Sequence, residues 1–137
     1  MGAGLLILPR RAWPLLAGLP LAFAAPILAQ PGGLEMLQNL TKGEWTVKFR
    51  DGSADAKICV KTGQELLQIK HEQPNCSRFV VEDGPAKVTV QYTCPGNGYG
   101  RTDIRRETAS LVQIESQGIA SGLPFELVAE ARRTGPC

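Results

Sequence analysis

The chain holds a single histidine, His71, and none of its four cysteines stands in a Cys-x-x-Cys pair. One imidazole cannot furnish a Ser-His or Cys-His couple once the cysteines are oxidised. His71-Glu72 opens like the helical zinc motif of a metalloprotease, but no second histidine follows at the required offset, and Pro74 breaks the helix. His71 is accordingly read as a surface-loop residue. The missing Cys-x-x-Cys argues against thiol-redox catalysis and against a zinc site. A surplus of one charge is missing too. Arg10 and Arg11 lie in a leader, and without them 13 basic residues face 13 acidic ones. So neutral a chain is a poor partner for nucleic acid or an anionic membrane. No internal repeat or low-complexity tract is present, and no cofactor or metal is expected.

What is there begins with residues 1–29, which read as a signal peptide. Arg10 and Arg11 precede an uncharged run from Ala12 to Ala29, rich in Leu and Ala and ending in small residues. Cleavage is expected after Ala29, with Ala24 as the alternative. Pro14, Pro20 and Pro26 would interrupt a membrane-spanning helix, so no membrane span is expected after cleavage. The residues around the arginine pair match a twin-arginine signal poorly, which favours Sec export. Cleavage leaves 108 of the 137 residues, the size of one domain. Within it, residues 30–43 read as a leader with a short helix, and residues 44–137 as a disulfide-stapled β domain.

All four cysteines, Cys59, Cys76, Cys94 and Cys137, lie in the exported part, and an even count in an oxidising compartment reads as two disulfides. Val88, Val90, Tyr92 and Cys94 alternate with polar residues, the period of a half-buried strand. A turn at Asp83-Gly84-Pro85 then sets Val80 opposite Val90 and Cys76 opposite Cys94, within bridging reach. That register selects Cys76–Cys94 and leaves Cys59–Cys137. A sequential pairing, Cys59–Cys76 with Cys94–Cys137, is the alternative; a meander disfavours it by setting Cys94 and Cys137 at opposite ends of the sheet.

The remaining elements follow in order. Leu34, Leu37 and Leu40 recur at helical spacing and Gly43 stops them, giving one short helix over an open end of the sheet. Trp45, Val47 and Phe49 alternate in a first strand, Asp51-Gly52 turns it, and a second strand runs from Ala56 to Lys61. Thr62 with Glu65 has capping-box spacing for a short helical turn over residues 64–69. Asn97-Gly98 turns the hairpin into a fifth strand from Tyr99 to Thr108, with polar residues on both faces. A sixth strand, Leu111 to Ile119, is followed by a turn at Ser121-Gly122 and a last strand with Phe125, Leu127, Ala129 and Ala131 inward. About seven strands with brief turns indicate an all-β antiparallel meander, a curled sheet or small barrel, with two short helices.

Few residues are candidates for chemistry. Gly96-Asn97-Gly98-Tyr99-Gly100 has the look of a phosphate cradle but lies between strands, with no helix N-terminus behind it. Glu107 and Glu115 flank a turn and could approach as a glycosidase pair, although exposed charge explains them more simply. Arg101, Arg105 and Arg106 on strand five, with Arg132 and Arg133 on strand seven and Tyr99 nearby, form the best candidate ligand surface, able to hold an anion bidentately. Asp103, Glu107 and Glu130 are available to neutralise them.

Gly43-Glu44-Trp45, Cys59-Val60, Cys76, Tyr92-Thr93-Cys94-Pro95-Gly96, Gly100-Arg101-Thr102, Ser116-Gln117-Gly118-Ile119 and the closing Glu130-Ala131-Arg132-Arg133-Thr134-Gly135-Pro136-Cys137 resemble the bacterial exported family called domain of unknown function 3617. The resemblance spans roughly Leu40 to Cys137, and the early Gly-x-Trp and terminal Gly-Pro-Cys are its most specific parts. It implies a Gram-negative origin, a periplasmic address and an all-β domain, and brings no substrate, cofactor or catalytic residue. The expectation is a periplasmic, non-enzymatic β domain that binds a small or lipid-like ligand or an envelope protein. The alternative is an inhibitor of a cell-wall or proteolytic enzyme, using loops Pro95–Gly100 and Ser121–Pro124 as its contact surface.

Overall fold

The computed structural model describes residues 33–137, together with residues 1, 2 and 4. The expected signal peptide, apart from residues 1, 2 and 4, and its expected cleavage site therefore lie outside the described residues. Seven strands form one antiparallel sheet: β1 (Gly43–Phe49), β2 (Ala56–Val60), β3 (Ser77–Asp83), β4 (Lys87–Cys94), β5 (Gly98–Thr108), β6 (Leu111–Ala120) and β7 (Leu123–Gly135). A short helix, α1 (Glu35–Gln38), precedes them, and one 3₁₀ turn (Gln64–Leu66) follows β2. The expected all-β architecture with two short helices is what the chain forms. The sheet stays open, so it is not a barrel.

The strand order is β2-β1-β7-β6-β5-β4-β3. Strands β3 to β7 run as a meander, and β7 then returns to pair with β1. This puts β2 and β3, neighbours in sequence, at opposite edges. The chain between them has to cross one face of the sheet, and its apolar residues are buried there. Leu66 and Leu67 pack with Leu34, Met36, Leu37 and Leu40 against Trp45, Val47, Val60, Val88, Val90, Ile104, Val112, Ile114, Ala129 and Ala131. These side chains form one hydrophobic cluster between the sheet and the crossing segment.

Local sequence accounts for the registers. Val80 faces Val90 as the alternation requires, and Cys76, next beyond the Ser77–Thr93 pair, bridges to Cys94 with the Cα atoms 4.2 Å apart. Cys59 on β2 reaches Cys137, which follows β7, across 5.7 Å. Ser121 and Gly122 both have positive φ, the two-residue turn whose twist suits a hairpin. Gly118 is required by crowding: a Cβ there would overlap the backbone of Tyr99 and Gly100 on the paired strand. Next to it, the Tyr92 ring lies over Gly100, filling the space a side chain would occupy.

Candidate functional site

His71 is fully buried, which corrects the surface-loop reading. It sits on the crossing segment, beneath β4 and the β5–β6 pair. Its Nε2 lies 3.0 Å from the carbonyl oxygens of both Asn97 and Ile119, which only accept, so Nε2 carries a proton and donates to them. Its Nδ1 lies 2.9 Å from the Tyr92 hydroxyl, and the two rings meet edge-on. Burial pushes the Tyr92 phenol above its ordinary range, opposed by a hydrogen bond with Ser116. Ser116 and Thr102 share a 2.7 Å bond between hydroxyls, and Thr102 also donates to the Leu67 carbonyl at 2.7 Å. The inward polar residues of β5 and β6 thus have a use: they tie the crossing segment to the sheet. Both imidazole nitrogens are engaged in that tie.

The six residues of the candidate ligand surface do not converge. Arg101, Arg105 and Tyr99 share the outer face of β5, whereas Arg106, adjacent to Arg105, faces the other way, beside Glu35, Gln38 and the turn at Asp83-Gly84-Pro85. Arg105 pairs with Glu107 at 3.4 Å and Arg132 with Glu130 at 3.5 Å, on exposed surface where such pairs count for little. Arg133 donates instead to the Lys42 carbonyl. The glycosidase pair is not assembled either. Glu115 faces Asp103 across the strands, and Glu107 lies four residues further along β5, about 13 Å away by strand rise. That exceeds the spacing of either class of glycosidase, whose upper limit is about 9.5 Å.

Tyr99 and Arg101 do come together. They line an open cleft of about 590 Å³ with Gln91, Gln117, Pro124 and Phe125. Among the described residues Arg101 has no ion-pair partner. At the same end of the sheet the two turns at 95–97 and 121–122 are joined. Ser121 donates its backbone N–H to the Asn97 carbonyl and side-chain oxygen at 3.3 and 3.0 Å, and its hydroxyl donates to that side-chain oxygen at 3.2 Å. The result is one ridge at the end of the sheet, with Tyr99 54% exposed on its outer face and Leu123 70% exposed on the opposite side, and Phe79 of the edge strand is 67% exposed on the outer face. Phe79 is not among the sequence candidates, although its place opposite inward-facing Val80 marks it as outward.

A second cleft, of about 430 Å³, opens at the edges of the sheet between β2 and the crossing segment. Arg78 enters it from β3, an inward register position that the Val80 alternation implies. Arg78 Nε and Nη1 donate to the side-chain oxygens of Gln68 and Gln64, each at 2.6 Å. Burial lowers the Arg78 pKa and the nearby Glu65 charge opposes the shift. Gly63 and not Thr62 stands at the cap position of the 3₁₀ turn, with no side-chain cap hydrogen bond. Glu65 makes its half of the arrangement expected from Thr62, its carboxylate accepting the backbone N–H groups of Lys61 and Thr62 at 3.0 Å. Partial burial raises the Glu65 pKa, and these backbone donors outweigh that and hold it below its ordinary range.

Among the described residues no group of His, Cys, Asp and Glu has the arrangement of a metal site, and all four cysteines are in disulfides. In comparisons with protein families, curated proteins and solved structures, the chain matches no family model, no curated protein and no solved structure.

Proposed function

We propose that the chain is an exported, periplasmic, non-enzymatic β domain that binds an envelope protein through the ridge formed by Pro95–Gly100 and Ser121–Pro124. The observation that carries this reading is the joining of those two loops by the Asn97–Ser121 hydrogen bonds, with exposed Tyr99 beside Arg101 on the outer face and exposed Leu123 in the adjoining loop. Aromatic side chains and arginine are the residues that most often anchor protein interfaces. Arg101, in no ion pair among the described residues, suits a partner that presents a carboxylate next to an apolar side chain. Two disulfides suit an oxidising compartment, and residues 1–29, read as a Sec signal peptide, supply the route to it. The resemblance to domain of unknown function 3617 agrees with the same address.

The test is affinity capture from periplasmic extract with the oxidised protein and with a Tyr99→Ala/Leu123→Asp variant. One envelope protein is expected with the wild type and a loss of at least about tenfold with the variant, as for an interface anchor. Equal capture by both, or no specific partner, refutes the reading. Inhibition of a lysozyme or protease by the wild type alone would identify that partner as the enzyme itself.

A further inference from the structure

The ridge leaves the cleft at the sheet edges unexplained, and its construction is unlike the rest of the surface. Its floor and one wall are apolar: Ala56 and Ile58 from the covered side of β2 and Ile69 from the crossing segment, all half-buried against the core. The other wall carries a cation with unusual partners. Both groups bonded to Arg78 are neutral glutamine oxygens, and no ion pair among the described residues includes it. The nearest acid acting on it, Glu65, has its carboxylate turned to the backbone N–H groups of Lys61 and Thr62. Gln68 is held in place from behind, because its amide nitrogen donates to the His71 carbonyl at 3.1 Å and lies 3.9 Å from Cys94 Sγ. Its oxygen is thereby fixed toward Arg78. Three of the five guanidinium N–H donors remain for a ligand.

We propose that this cleft binds a small amphipathic monocarboxylate, its carboxylate on the free edge of Arg78 and its hydrocarbon chain along Ala56, Ile58 and Ile69. The volume of about 430 Å³ falls within the range of small-molecule sites. A planar guanidinium matches a carboxylate bidentately. The ligand is a monoanion because the other cation of the lining, Lys57, is paired with Glu44 at 3.0 Å, which leaves Arg78 as the one positive charge without an ion pair against Glu65 and Glu72. A phosphate dianion would meet more repulsion than Arg78 offsets. This site is separate from the protein-binding ridge, so either can fail without the other.

The test titrates the oxidised protein with decanoate by calorimetry. Decanol, acetate and decyl phosphate serve as comparison ligands, and amide shifts are followed by nuclear magnetic resonance. Saturable one-to-one binding is expected, with shifts at Ala56, Ile58 and Ile69. Arg78→Gln weakens decanoate by about tenfold or more, the usual worth of a charge-assisted bond. Arg78→Lys is intermediate and Arg132→Gln is without effect. Decanol and acetate, each lacking one half of the ligand, bind at least about tenfold more weakly. Undiminished affinity in Arg78→Gln, no saturable binding, or shifts confined to other residues overturns the proposal. So does tighter binding of decyl phosphate. The wild-type shift map decides the matter even where Arg78→Gln does not fold.

Discussion

Replacing His71 with leucine asks whether the lone imidazole is a structural tie. The substitution keeps an apolar side chain of similar bulk in a fully buried place. It strips hydrogen bonds from three atoms: the Tyr92 hydroxyl and the carbonyl oxygens of Asn97 and Ile119. A buried polar group without a partner costs about 1–3 kcal/mol. Tyr92 is nearly inaccessible and, with only Ser116 left to it, bears most of that cost, while the two carbonyls shared one donor at a partly buried edge and Asn97 keeps the Ser121 N–H. A total near 3 kcal/mol follows, or a fall in Tm of about 15 °C for a domain of this size. Tyr92→Phe, which removes the polar atom itself, should cost only about 1 kcal/mol. In the His71→Leu/Tyr92→Phe double variant no hydroxyl is left stranded, so the two losses should fall short of additivity by about 1 kcal/mol or more. Urea unfolding followed by the fluorescence of Trp45, the only tryptophan beyond residue 29, measures all of these. A loss under about 0.5 kcal/mol for His71→Leu, the usual result of a surface substitution, would refute the reasoning.

The remaining predictions concern the other ties. Removing Cys59–Cys137, which closes 78 residues, should cost about 4.5 kcal/mol by chain entropy, against about 3 kcal/mol for Cys76–Cys94 with its 18; Cys→Ala pairs compared by urea unfolding check the order. Glu65→Gln should cost about 1 kcal/mol at neutral pH, as loss of a cap does. Because the folded Glu65 pKa is lowered, that stability is present above the ordinary carboxylate pKa of 4.5 and disappears as pH falls through the lower folded value, so wild type and variant should converge in acid. Gly118→Ala should destabilise by about 1–3 kcal/mol, since the added methyl group meets backbone that can yield only by opening the β5–β6 ladder; retention of wild-type Tm would show that the sheet is looser there.

What the sequence discloses is what neighbours along the chain decide. The Val80–Val90 register, the Cys76–Cys94 bridge, the Ser121-Gly122 turn and the Thr62–Glu65 hydrogen bond all follow from short spacings, and each is found. The burial of His71 depends instead on β7 returning to β1, a pairing of residues as far apart as Glu44 and Gly135 that sends the 61–76 connection across the sheet. No local pattern records it, and the prolines and polar residues around His71 read as loop. The arginine cluster fails for a simpler reason. Consecutive Arg105 and Arg106 cannot share a face of one strand, so the period-two rule already divides them. Likewise Glu115 lies too far along its strand from the turn to meet Glu107. Arg78 is legible from the same rule, yet an inward arginine takes on meaning only once the crossing segment gives it partners.

Site-specific photocrosslinking in living cells tests the functional account most directly. A benzophenone amino acid in place of Tyr99, at the centre of the ridge, should crosslink to one envelope protein, and the same group in place of exposed Lys48 on β1 should not. Labelling of that protein from both positions alike, or from neither, would contradict it.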